Sequence, residues 1–167
     1  MYYLFETNHL KKQQPCLTRL LNGTKGFNET AFLRCKEMLL RETPFRFETY
    51  TKGIVTEYLN SSVPLFRTDL LNAFSEGGAN NFQCFASVII HNGIDHINYH
   101  AINILEKIQE IHLNTTEVDV PKIGRFGSTM SDILVHNSIK AELDRQNFEY
   151  ILWRRVVAFK DSRFVLD

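Results

Sequence analysis

Apolar and polar residues alternate or recur along this chain in ways that mark its elements. Tyr2–Glu6 is a short run of aromatic and apolar residues, as in a β-strand. Thr7–Lys25 is polar, mixed and without a period, and reads as irregular. Asn28 can cap a helix from about Glu29 to Arg41, on which Phe32, Cys35 and Leu39 share a face. After Pro44, Phe45–Tyr50 alternates with period two and predicts a strand.

Pro64 opens the clearest helical pattern. Phe66, Leu70, Ala73 and Phe74 stand at i, i+4, i+7 and i+8, an apolar stripe that places Leu70 and Phe74 in the core. Gly77-Gly78 ends it, because glycine accepts the left-handed conformation at a helix C-terminus. Phe82–Ile90 is strongly β-prone, Asn92-Gly93 is a two-residue hairpin signal, and Ile94–Leu105 is the returning strand. A further helix is predicted at about Asn137–Gln146 and a strand at Tyr150–Phe159. An internal echo joins the two ends of this pattern. Leu65–Phe74 followed by Phe82–Phe85 resembles Leu134–Leu143 followed by Phe148–Trp153, one helix–strand unit used twice. The expected fold class is α+β: a single domain over 1–167, mainly an antiparallel sheet with a central hairpin and a few short amphipathic helices.

Composition changes this picture little. With 44% hydrophobic and 23% charged residues in 167, the chain can bury a core, and its 13 Phe are expected to fill it. Charge is more informative. The net charge is zero, with 19 basic and 19 acidic side chains, so no nucleic-acid partner is expected. The distribution is uneven: from Glu42 to Pro121 ten acidic residues face four basic ones, a net −6. Such a block is either a solvated face or a surface that attracts a basic partner.

Cys16, Cys35 and Cys84 are odd in number and widely spaced, which points to three small buried residues in a reducing compartment. No signal peptide precedes the first strand, and no apolar run approaches a membrane span, so a cytoplasmic location without membrane contact is expected. The sequons at Asn22, Asn28, Asn60 and Asn114 then never meet the glycosylation machinery.

Three histidines in ten residues, His91, His96 and His100, suggest a metal. The hairpin argues against one. About the Asn92-Gly93 turn, His91 faces Ile94, Ile89 faces His96 and Phe85 faces His100, so all three share a face. His96 and His100 are nevertheless roughly 13 Å apart along the strand, too far for one ion. No metal or other cofactor is expected, and no catalytic motif stands out. Gly124, Gly127 and Ser128 form a glycine-containing loop that could be a loop or a phosphate cradle. Glu117 and Asp119 alternate and could pair. Arg154-Arg155 follow Trp153 and point to opposite faces of a strand.

Three segments carry a family resemblance. Thr56–Phe74 (TEYLNSSVPLFRTDLLNAF), followed by Asn81–Phe85, is similar to a segment with a "PLxSxRLxxxLE" pattern. Tyr99, Ala101, Asn103, Ile104, Leu105, Ile108 and Ile111 match "YxAxNILxxIxxI". Asp132–Leu143 (DILVHNSIKAEL) matches "IxVSxxLKxAL". Together these resemble a bacterial immunity-protein family encoded beside polymorphic toxins, over about residues 45–155. The chain departs from that pattern where Arg67 and His136 replace a helix-capping Ser, with Thr68 or Asn137 expected to cap instead. The acidic segment before the last unit is also shortened.

The resemblance implies a non-enzymatic protein that binds and neutralises a cognate toxin effector domain acting on a cytosolic target. The alternatives are a small enzyme with a motif-free site near Gly124–Ser128, or an accessory structural subunit. For a toxin-binding protein, the acidic block nominates Glu57, Asp69, Glu76 and Asp95 as partner-binding residues, with Arg154 and Arg155 as second choice. The sequence leaves the oligomeric state open.

Overall fold

The computed structural model describes residues 1–21, 24–60, 63–113, 120–126, 132–161 and 163–167. In chain order the elements are β1 (Tyr2–Thr7), β2 (Thr18–Leu20), α1 (Glu29–Leu33), β3 (Phe45–Thr49), β4 (Tyr58–Asn60), β5 (Pro64–Arg67), α2 (Thr68–Glu76), β6 (Phe82–His91), β7 (Ile94–Ile104), β8 (Lys107–Ile108), α3 (Glu110–Leu113), β9 (Ile123–Phe126), β10 (Ile133–His136), α4 (Asn137–Gln146), β11 (Ile151–Lys160) and β12 (Arg163–Leu166).

Among the described residues the strands form two six-stranded sheets, ordered β2-β3-β6-β7-β5-β4 and β12-β11-β1-β10-β9-β8. The expectation was one mainly antiparallel sheet. Instead there are two, each with one parallel pair: β3 beside β6, and β8 beside β9. The result is one compact α+β fold. Helices α2 and α4 lie between the sheets, and Phe5, Phe66, Leu70, Phe74, Val135, Ile139 and Leu143 pack there into one core. The far face of the first sheet is covered by α1 and its flanking loops over Phe45, Phe47, Phe85 and Ile89. The far face of the second is closed over Leu4, Phe126, Leu134 and Val156. With apolar residues needed on both faces of both sheets, the high Phe content is used throughout, and the rings meet mostly at tilted or edge-on angles, as at Phe5–Phe74 (5.4 Å, 78°).

Local sequence explains where elements stop. Asn28 caps α1 as expected, its Oδ1 accepting from Ala31 N–H at 3.1 Å. The helix nevertheless ends at Leu33, not near Arg41. Cys35 takes a left-handed φ of 54°, and Lys36 N–H closes back onto the Ala31 carbonyl at 3.0 Å. Leu39, expected on the buried helix face, is 93% exposed. The second helix also starts later than its apolar pattern suggested. Pro64–Arg67 is strand β5, and Phe66 reaches the same core from the strand, 4.9 Å from the ring of Phe74. Thr7–Lys25, expected to be irregular, contains β2.

Helices α2 and α4 sit in matching units. In each, a short strand (β4 or β9) pairs antiparallel with a second (β5 or β10), which runs without a loop into the helix and then into a long strand (β6 or β11). A further strand, β7 or β1, lies between the second strand and the long one. The first unit is contiguous. The second takes its inserted strand from the beginning of the chain. The echo in the sequence is this repeated backbone.

Candidate partner-binding site

The two units agree closely where strand turns into helix. The N-cap residues are Arg67 (φ −67°, ψ 151°) and His136 (φ −69°, ψ 152°), so Thr68 and Asn137 are first helical residues rather than caps. The cap N–H donates across the unit in both cases, Arg67 to the Glu57 carbonyl at 2.9 Å and His136 to the Lys122 carbonyl at 2.8 Å. A tyrosine stands opposite each cap, Tyr99 beside Arg67 and Tyr2 beside His136. Each donates its hydroxyl to a carbonyl two residues before the short strand: Tyr99 to Thr56 and Tyr2 to Pro121, both at 2.7 Å. Burial pushes the Tyr2 hydroxyl up to about 12 and the more deeply buried Tyr99 also upward.

Related positions also link the units. The Glu57 carboxylate accepts from Tyr150 N–H at 2.5 Å, and Asn81 Nδ2 donates to the Ile123 carbonyl at 2.5 Å. Between the helices, Gly77 lets α4 approach. A Cβ there would stand 2.8 Å from Ile139 Cδ1 and 3.0 Å from its Cα.

Side chains at the caps differ in chemistry. In the first unit Arg67 forms a two-pronged pair with Asp69 (2.8 and 2.6 Å), and this hydrogen bonding holds the Asp69 carboxyl below its ordinary range. In the second unit His136 Nδ1 accepts from Ser138 N–H at 3.3 Å. Partial burial, Lys122 and the terminal ammonium push the imidazole down to about 4.

The structure spreads out the six residues singled out from sequence. Glu57 is 4% exposed and serves as a buried acceptor, not a surface carboxylate. It and Asp69 nonetheless line one polar cleft of about 310 Å³ with Thr56, Arg67, Gln146 and Glu149, three carboxylates against one guanidinium. Glu76 is exposed near the other end of α2, where it accepts from Gln146 Nε2 of α4 at 3.1 Å. Asp95 is at the hairpin end and pairs with Arg46 of β3 at 3.3 Å. Arg154 clasps Glu6 with two bonds of 2.6 Å, and Arg155 meets Asp167 at 3.5 Å. Both arginines are exposed although they point to opposite faces.

The histidines separate for a reason not visible in the sequence. His91 faces Ile94 and Ile89 faces His96, but Phe85 pairs with Ala101 and Ala86 with His100. Ile97 and Asn98 together oppose Val88, a β-bulge that slips the register by one and turns His100 to the opposite face from His91 and His96. The His91 and His96 rings lie 6.3 Å apart. His100 Nε2 contacts Thr68 Oγ1 at 3.1 Å, and since that hydroxyl donates to the Asn98 carbonyl, the imidazole nitrogen is the donor. Among the described residues no cluster of three or more His, Cys, Asp or Glu could hold a metal ion.

Gly124 is inside β9, with Ile108 Cγ1 only 2.6 Å from where its Cβ would stand, so it serves close packing. Gly127, Ser128, Glu117 and Asp119 lie outside the described residues. The cysteines are unbonded, and burial raises the Cys16 and Cys84 thiols to about 11. No helix among the described residues is long and apolar enough to cross a membrane. Arg125 of β9, 2% exposed, was not suggested by any sequence pattern. In comparisons with known proteins, no family model matches the chain and no curated protein is significantly similar to it.

Proposed function

We propose that the chain is an immunity protein: it binds the effector domain of a cognate toxin in the cytosol and blocks it without catalysis. One observation carries this reading. The segments that resemble the immunity family include the strand–helix junction of both units. Residues 56–74 take in β4, β5 and the start of α2, residues 99–111 run from the end of β7 through β8 into α3, and residues 132–143 are β10 with α4. A resemblance made of scattered apolar matches has no reason to coincide with both copies of a structural repeat.

The partner-facing surface in this reading is the first unit. Asp69 and Glu76 are exposed on α2, and Asp95 stands at the end of the hairpin that forms the centre of that sheet. Glu57 is buried and lines the polar cleft together with Asp69. Arg67 and Arg46 temper the charge of Asp69 and Asp95, so the attraction for a basic partner is a property of the face rather than of one bare carboxylate.

The test is co-expression with the C-terminal domain of the toxin encoded beside this gene. The expected result is restored growth and a complex that survives purification. Growth arrest unrelieved by the chain, with no complex, overturns the reading. A cognate toxin that attacks peptidoglycan in the periplasm contradicts the cytosolic placement.

A further inference from the structure

Between α1 and β3 the chain runs from Lys36 to Arg41 without helix, strand or turn. One side of this run is pinned to the first sheet. Met38 N–H donates to Gln83 Oε1 at 2.9 Å, the Met38 carbonyl accepts from Gln83 Nε2 at 3.0 Å, and the Lys36 carbonyl accepts from Asn103 Nδ2 at 2.7 Å. In an extended chain the backbone groups of successive residues point to opposite sides. With Lys36 and Met38 turned inward, Glu37, Leu39 and Arg41 turn outward. Among the described residues their N–H and C=O groups have no hydrogen-bond partner.

We infer that this run is the self-pairing edge of a homodimer. Its sequence is Lys36-Glu37-Met38-Leu39-Leu40-Arg41-Glu42. Two copies laid antiparallel about Leu39 place Lys36 opposite Glu42, Glu37 opposite Arg41, Met38 opposite Leu40, and Leu39 opposite itself. Each charge meets its opposite, as an isologous two-fold contact requires. Centring on Leu40 instead sets Leu39 against Arg41 and Met38 against Glu42, and centring on Met38 sets Glu37 against Leu39. The Leu39 register is also the one the backbone permits. The outward groups of Leu39 meet their two-fold mates and those of Glu37 meet those of Arg41, the hydrogen-bonded pairs of an antiparallel ladder.

Side-chain exposure agrees. Leu39 is 93% and Leu40 75% exposed, the largest apolar protrusion of neighbouring residues among those described. Arg41 lies over the Phe45 ring at 4.6 Å and donates to the Thr43 and Lys25 carbonyls, and among the described residues its charge meets no carboxylate. An open groove of about 560 Å³, lined in part by Lys25, Gly26, Asn28 and Ala31, runs beside the segment and gives the leucines of a second copy somewhere to seat. This inference is independent of the toxin-binding reading, which uses α2 and the hairpin end.

Sedimentation velocity of the full chain over a concentration series tests it. The mass should rise from 19.5 kDa towards twice that value. Leu39→Asp should hold it at the monomer. Lys36→Glu, which sets two like-charged pairs across the axis, should raise the dimer dissociation constant roughly tenfold, and adding Glu42→Lys should restore it. Neither Lys36 nor Glu42 has a side-chain bond within the described structure, so both variants should fold. A wild type that stays monomeric at every concentration, a Leu39→Asp variant that dimerises normally, or a charge swap that does not restore association overturns the inference.

Discussion

The two units share a backbone and differ in their chemistry. Around Arg67 and around His136 the cap angles agree within 2°, the cap N–H bonds differ by 0.1 Å, and a tyrosine hydroxyl reaches a carbonyl at 2.7 Å in both. The side chains on these equivalent positions are Glu57, Arg67 and Asp69 in one unit and Lys122, His136 and Ser138 in the other. Backbone pairing and aromatic packing therefore suffice to specify the unit, and the cap side chains are left free to vary. The proposed partner surface lies on the acid-rich version.

The largest expected effect comes from the core that both units share. Phe74→Ala removes a fully buried ring that packs on Phe5 and Phe66, and should cost about 3–5 kcal/mol in denaturant unfolding. Unchanged stability would mean that α2 does not bury this face. Next is the helix crossing. Gly77→Ala drives a methyl group against the backbone of Ile139, and should cost about 1–3 kcal/mol, read as a lowered melting temperature.

The tyrosines compare the units directly. Tyr99→Phe strands the Thr56 carbonyl in a buried site and should cost about 1–2 kcal/mol. Tyr2→Phe, whose bond is only partly buried, should cost about 1 kcal/mol or less. Equal losses would contradict the difference in burial between the two bonds, and no loss in either variant would show that neither hydroxyl bond stabilises its unit.

The caps should differ in their response to pH. His136 titrates at about 4 when folded against 6.5 when unfolded, so within that window the unfolded chain binds the extra proton. Its contribution is fully present above 6.5 and is lost as pH falls through the window. His100, also lowered by burial, acts in the same direction. His136→Asn keeps an acceptor for the cap and should reduce, without abolishing, the fall in stability on acidification. An unchanged slope would show that His136 does not carry it.

How much of this was legible depended on whether a local signal was also the deciding one. The Leu70–Phe74 stripe with its Gly77-Gly78 stop, and the Asn92-Gly93 turn, are local patterns that the fold uses as written. The Lys36–Glu42 run was not, because its spacing from Phe32 and Cys35 imitates a helix. What holds it extended is Gln83, 45 residues away in the chain. Pro64–Arg67 is short and apolar, so it suits a helix start and a buried strand equally well. The bulge at Ile97 and Asn98 leaves no mark in composition, yet it decides which face His100 takes. Of the site, the acidic character of the first unit was readable. The burial of Glu57 was not, because it answers the Tyr150 N–H of the other unit.

The most direct measurement is the association rate with the toxin domain, comparing charge reversals on the two units. Asp69→Lys with Glu76→Lys reverses the acid-bearing helix. Lys140→Glu with Arg145→Glu reverses the equivalent helix of the second unit. If the first unit faces the partner, the first variant should associate several-fold more slowly at low salt. The deficit should shrink as salt screens it, while the second variant associates at the wild-type rate. An unchanged rate for the first variant, or an equal loss in both, would contradict the assignment of the partner surface to the acid-bearing unit.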